Sequence, residues 1–147
     1  MARSKSIVAV ACVLMAAVAP AAALARNGAV RQALTANARG DCSIGGAGPQ
    51  SVGFVILNRA DDHVSAVISL RGAPANGRWQ VELDQTPLMG CSSFDGFITT
   101  NARGDGHAVV SDPFQPGNTG AFVRLDALND AAQAGGIIAS EGTELSR

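Results

Sequence analysis

The residues best placed to do chemistry are few: His63 and His107, the cysteines Cys12, Cys42 and Cys91, and two Arg-Gly-Asp triplets at positions 39–41 and 103–105. The triplets suggest adhesion, because Arg and Asp presented on a tight loop can reach a metal-assisted cleft. They also arise easily in a chain rich in Ala, Arg and Gly. A metal site drawn from His63, Asp61 or Asp62, His107 and Asp105 would need two separate turns to lie side by side, and no single element carries ligand spacing. The sequence therefore implies no metal and no cofactor. It holds no Gly-x-Ser-x-Gly elbow and no phosphate-cradling glycine loop. Asp61 and Asp62 are adjacent, and neighbouring side chains of extended backbone point apart, so they do not form a general acid and base pair. The sequence assigns no catalytic residue.

The Asn101, Arg103, Gly104, Asp105 segment is a turn before it is anything else, and it is the candidate binding turn. Asn101 can accept from its own turn backbone, and Gly104 and Gly106 can take positive φ. Ile98 and the apolar run at 108–110 then return the chain to a sheet.

The first 25 residues read as a cleavable secretory signal. Arg3 and Lys5 give a basic start, and the uncharged apolar run at 7–19 is too short for a stable span, which needs about 20 residues. Pro20 then breaks the helix, and Ala23-Leu24-Ala25 offers small residues for cleavage after Ala25. The rivals are a lipoprotein signal at Cys12 and a buried N-terminal helix.

Cleavage leaves two cysteines. An even pair in an oxidising compartment is expected to bridge, so Cys42 and Cys91 are the predicted disulfide. On the chain-entropy model, closing that loop contributes roughly 4 kcal/mol. The processed chain has twelve acids against nine arginines and no lysine, a net charge of −3. With the arginines scattered, nucleic acid is not the expected partner. After processing, no segment approaches transmembrane length.

The elements that must position these residues are strands. Val64, Ala66, Ile68 and Leu70 alternate with polar neighbours, as do Trp79, Val81 and Leu83. Segment 51–58 is apolar on both faces, which predicts a central strand covered on both sides. Further strands are expected at 94–100, 107–111, 120–126 and 136–140, with Gly, Asn, Asp and Pro between them. Segment 126–133 is a short helix or a loop, and 26–40 a leader or first edge strand. The fold class that follows is all-β: an antiparallel, immunoglobulin-like sandwich of about seven strands, a single domain over 41–147.

The Gly-Phe-Val-x-Leu-Asn run at 53–58, the Val-x-Ala-x-Ile-x-Leu-x-Gly-Ala run at 64–73, the strand at 79–83 and the Thr-Thr-Asn-x-x-Gly-x-Gly-x-Ala hairpin at 99–108 resemble a group of secreted bacterial β-sandwich proteins. The resemblance covers roughly 52–125. It implies the fold and carries no catalytic residues. Segments 35–41 and 99–105 differ at one position, and each precedes a Phe-Val-x-Leu strand, which suggests two equivalent halves or a coincidence of composition.

Three function classes follow. The first is a secreted binding or structural module that contacts a protein, an envelope component or a small apolar ligand. The second is a secreted enzyme with a loop-built site, metal-dependent or not. The third is an adhesion protein using the Arg-Gly-Asp turns. A solid core with shallow grooves favours the first, and a deep polar pocket holding converging His and carboxylates favours the second.

Overall fold

The computed structural model describes residues 28–38, 48–87 and 94–146. The segment expected to be a signal peptide, Cys42, Cys91 and the first Arg-Gly-Asp triplet lie outside them. Among the described residues the strands are β1 (Val30–Ala36), β2 (Gln50–Arg59), β3 (His63–Leu70), β4 (Arg78–Thr86), β5 (Gly96–Thr99), β6 (Gly106–Pro113), β7 (Gly120–Ala127), β8 (Ile138–Ala139) and β9 (Thr143–Glu144). A single short helix, α1 (Asp130–Gln133), falls between β7 and β8.

The chain is all-β and every pairing is antiparallel. The strands run in the order β5-β4-β7-β8-β1-β2-β3-β6, with β9 on β7. One layer is thus β1-β2-β3-β6 and the other β5-β4-β7. The two-residue β8 joins them by pairing Thr35 on β1 with Ala139, and Ala139 and Ile138 with Arg124 and Leu125 on β7. The chain first crosses between layers after β3, whereas an immunoglobulin constant-type order crosses after its second strand.

Alternation fixes what faces inward. Val64, Ala66, Ile68 and Leu70 are at most 1% exposed, and Trp79, Val81 and Leu83 likewise. Burial of each valine, leucine or isoleucine among them contributes roughly 1.5–3 kcal/mol. Trp79 sits at the centre, and a Cβ on Gly77 would lie 2.2 Å from its ring, so position 77 has no room for a side chain.

Several expectations are corrected by long-range pairing. Segment 94–100 pairs only over Gly96–Thr99, and 136–140 only over Ile138–Ala139. Asp126 and Ala127 extend β7, and the helix starts later, where Asn129 caps it by accepting from the Ala132 amide. β1 is not an edge strand, because β2 covers one side along its length and β8 meets the other. Nor is β2 covered on both faces: the register skips Val52, which joins the core, while Phe54 and Ile56 stay half-exposed on the outer face.

One end of the molecule is closed where two crossing loops dock. Loop 71–77 carries the chain from β3 to β4, and loop 100–105 returns it from β5 to β6. Ala73 N donates to Gly104 O (3.3 Å), Asn76 N to Asn101 O (3.2 Å) and Thr100 N to Gly77 O (2.9 Å). The Thr100 hydroxyl accepts from Gly77 N at 3.0 Å and donates to Pro74 O at 2.6 Å. Thr100 is buried, so each lost bond strands a buried backbone group. We predict that Thr100→Val lowers unfolding free energy by about 1–3 kcal/mol, read as a lower urea midpoint with unchanged slope; an unchanged midpoint would remove this role.

Candidate functional site

The turn at 101–105 is built by its first residue. The Asn101 side-chain oxygen accepts from the amides of Arg103 (2.8 Å) and Asp105 (3.1 Å). Its backbone amide donates to Asp105 O, and Gly104 N donates to Asn101 O, each at 3.0 Å. Gly104 has φ of 82°, and a Cβ there would lie 2.0 Å from the Ala73 carbonyl oxygen. Only glycine meets both demands. Gly104 therefore serves the docking of one loop on the other, whereas Gly106 does not take the expected positive φ and a Cβ there would lie 2.7 Å from Thr99 O.

Arg103 and Asp105 join that framework through their backbones alone. Their side chains are 84% and 44% exposed and pair with each other, Nε to Oδ2, at 3.3 Å.

Beside the turn lies an open groove of about 930 Å³, lined by Ser69, Leu70, Arg71, Thr99, Thr100, Asn101, Arg103, Asp105, Gly106 and His107. The β3–β6 register explains the gathering. Ser69 stands opposite His107 and Leu70 opposite Gly106, so Arg71 lies at the level of Asp105. The structure thus brings Asn101, Arg103 and Asp105 together with four polar residues that sequence reasoning had not assigned to a site: Ser69, Arg71, Thr99 and Thr100. Ser69 and Arg71 continue the outward alternation of β3, which was the signal available; their partner strand was not readable.

The two histidines do not converge. His63 pairs with Pro113 and His107 with Ser69, six residues further along β3, a separation of about 20 Å in extended chain. His63 instead bonds Asp62 at 2.8 Å on the exposed β2–β3 turn, and this contact lowers the Asp62 carboxyl below its ordinary range. No cluster of three metal-ligating side chains occurs among the described residues.

The two Asn-Ala-Arg-Gly-Asp segments are not equivalent where they can be compared. Asn37 is left-handed, with φ of 55°, and Asn101 is not. The first segment leads from β1 to its neighbour β2, whereas the second leads to β6, one strand before the Phe-Val-x-Leu sequence of β7.

Outside the groove, two features deserve chemical description. Phe94 and Phe97 are exposed and meet edge-on at 4.9 Å, with Arg78 over the Phe97 ring. On the outer face of β4 and β7, Glu82 accepts from Gln80 at 3.1 Å and lies 3.9 Å from Arg124, which also bonds Asp126 at 2.8 Å. Burial pushes the Glu82 carboxyl above its ordinary range, Asp126 adds to the rise, and Arg124 opposes it.

Compared with protein families, curated proteins and solved structures, the chain matches none.

The Glu82 environment has a definite pH signature. A folded-state value raised above the unfolded one means that the folded protein holds the proton more tightly. The stabilisation is then complete below the unfolded value and is lost as pH rises through the folded one. Glu82→Gln is expected to match the wild type at about pH 4 and to equal or exceed it by up to about 1 kcal/mol at about pH 7. Urea titrations at the two pH values check this, and a variant much weaker at neutral pH would show that the Arg124 contact dominates.

Proposed function

We propose that this protein is an exported, non-catalytic binding or structural module that meets its partner, a protein or envelope component, through the groove beside Asn101–Asp105. The observation that carries the reading is the division of labour in the turn. Asn101, Gly104 and Thr100 hold the backbone rigid, while Arg103 and Asp105 remain exposed at the groove. A preorganised backbone reduces the ordering cost of binding. The packed interior around Trp79 and the placement of the groove on the outside favour this reading over an enclosed reaction site.

Export and a bridge between Cys42 and Cys91 belong to the same proposal. Protein recovered from outside the cell should begin at Arg26 and contain no reactive thiol in the native state; an intact Met1 or two titratable thiols would contradict it.

The groove itself is tested by retention from native envelope or culture medium on immobilised protein. Wild type should retain a partner that Arg103→Ala and His107→Ala lose by about tenfold while keeping wild-type urea midpoints, since both residues are exposed. Equal retention by all three proteins would place the interface elsewhere.

A further inference from the structure

The groove does not end at the turn. Its Ser69–His107 pair is the last row of the outer face of the β1-β2-β3-β6 layer, and the next row on that face is apolar on β2, β3 and β6. Cross-strand pairing sets Ala33, Phe54, Ser69 and His107 in one row, and Arg31, Ile56, Val67 and Val109 in the next. Arg31 lies 4.1 Å over the Phe54 ring, which confirms that both rows share a face. Directly opposed side chains are about 5 Å apart, so Phe54, Ile56, Val67 and Val109 form one contiguous apolar strip. Val109 is 62% exposed.

Charge on this surface is one-sided. The strand positions from Arg31 and Ala33 across to His107 and Val109 carry no carboxylate, although acids outnumber bases in the processed chain. At the groove, the one carboxylate, Asp105, is already paired with Arg103. Arg71 makes no ion pair among the described residues. What the groove offers a ligand is therefore an unengaged guanidinium with Ser69, Thr99, Asn101 and His107 around it, next to an apolar strip one row away. A planar guanidinium beside hydroxyl and amide donors matches an oxyanion.

We propose that this surface binds an amphiphilic oxyanion, with its carboxylate or phosphate group at Arg71 and its apolar tail along Val67 and Val109. The proposal rests on the groove being the binding site and adds the class of ligand it takes. Carboxylate and phosphate sources share the head-group chemistry and are separated by the choice of probe.

The test is a titration of the ¹⁵N-labelled protein, below micelle concentrations, with octanoate, octyl phosphate, octanol, acetate and inorganic phosphate. Octanoate or octyl phosphate, or both, should saturably shift the amides of Arg71, Thr99 and His107 together with those of Val67 and Val109; the stronger of the two names the head group. Acetate, inorganic phosphate and octanol should each bind at least about tenfold more weakly than that probe. Arg71→Gln should reduce its affinity by about fivefold or more, and Val109→Asp should abolish the advantage of the tail. Both positions are exposed, and unchanged urea midpoints certify the fold.

Octanol binding as tightly as the charged probes would overturn the oxyanion assignment while leaving the groove as a site. Inorganic phosphate binding as tightly as octyl phosphate would overturn the amphiphile. Shifts confined to other surfaces, or none with any probe while a native partner still depends on Arg103 and His107, would overturn the ligand class alone. If the native partner is also indifferent to those residues, the groove reading fails with it.

Discussion

The docking of loop 100–105 on loop 71–77 is the constraint on which the rest of the molecule depends. Each loop crosses between the layers, one leaving β3 for β4 and the other returning from β5 to β6. Their mutual hydrogen bonds hold the end strands β5 and β6 near each other, although those strands do not pair in a ladder. The bonds are made by backbone groups and one buried threonine, so they are indifferent to surface composition. They also dictate the glycines: Gly104 because the Ala73 carbonyl leaves no space, and Gly77 because Trp79 leaves none. Asn129 extends the same junction, donating to Asn76 O and accepting from Arg78 N and Ala132 N, which fastens α1 to the crossing.

The opposite side of the sandwich is closed by lighter means. Two residues of β8 bridge β1 and β7, reinforced by Ser140, whose hydroxyl accepts from Val123 N, and by Thr35, whose hydroxyl donates to Ala139 O. The outer faces of the two layers also differ. On β4 and β7, Glu82, Asp84 and Phe122 are buried although they point away from the interlayer core. On β2 and β3 the outward residues are half-exposed and on β6 they are exposed, with Phe54, Ile56, Val67 and Val109 the apolar ones among serines, Asn58 and His107. This leaves Phe54, Ile56, Val67 and Val109 partly open on one face, beside the polar groove.

The period-two pattern made the strands legible, and 64–70 and 79–83 lie where the alternation put them. Trp79, whose burial tests that alternation, is fully enclosed. What local pattern does not encode is which strand lies beside which. That is why β1 reads as an edge when it is interior, and why the short strand β8 reads as longer than its two paired residues. The segment at 99–108 was legible as a turn, since Asn and Gly at those offsets have few other uses, but it is a crossing between layers and not the expected hairpin, because β5 and β6 do not pair. Its second role, as a plug for the other crossing loop, depends on a carbonyl more than 30 residues away. Arg71 escaped notice for the same reason: only the β3–β6 register places it at the level of Asp105. Of the two readings of the near-identity of 35–41 and 99–105, the difference between Asn37, which is left-handed, and Asn101, which is not, favours coincidence of composition.

Native-state hydrogen exchange tests the central role of the docked loops most directly. If they hold the fold closed, the amides of Asn76, Gly77 and Thr100 exchange only through global unfolding, with the same free energy and the same denaturant dependence as the core amide of Val81. Exchange of those three by a lower-energy, denaturant-independent opening, while Val81 stays protected, would show that the loops decorate a sandwich that stands without them.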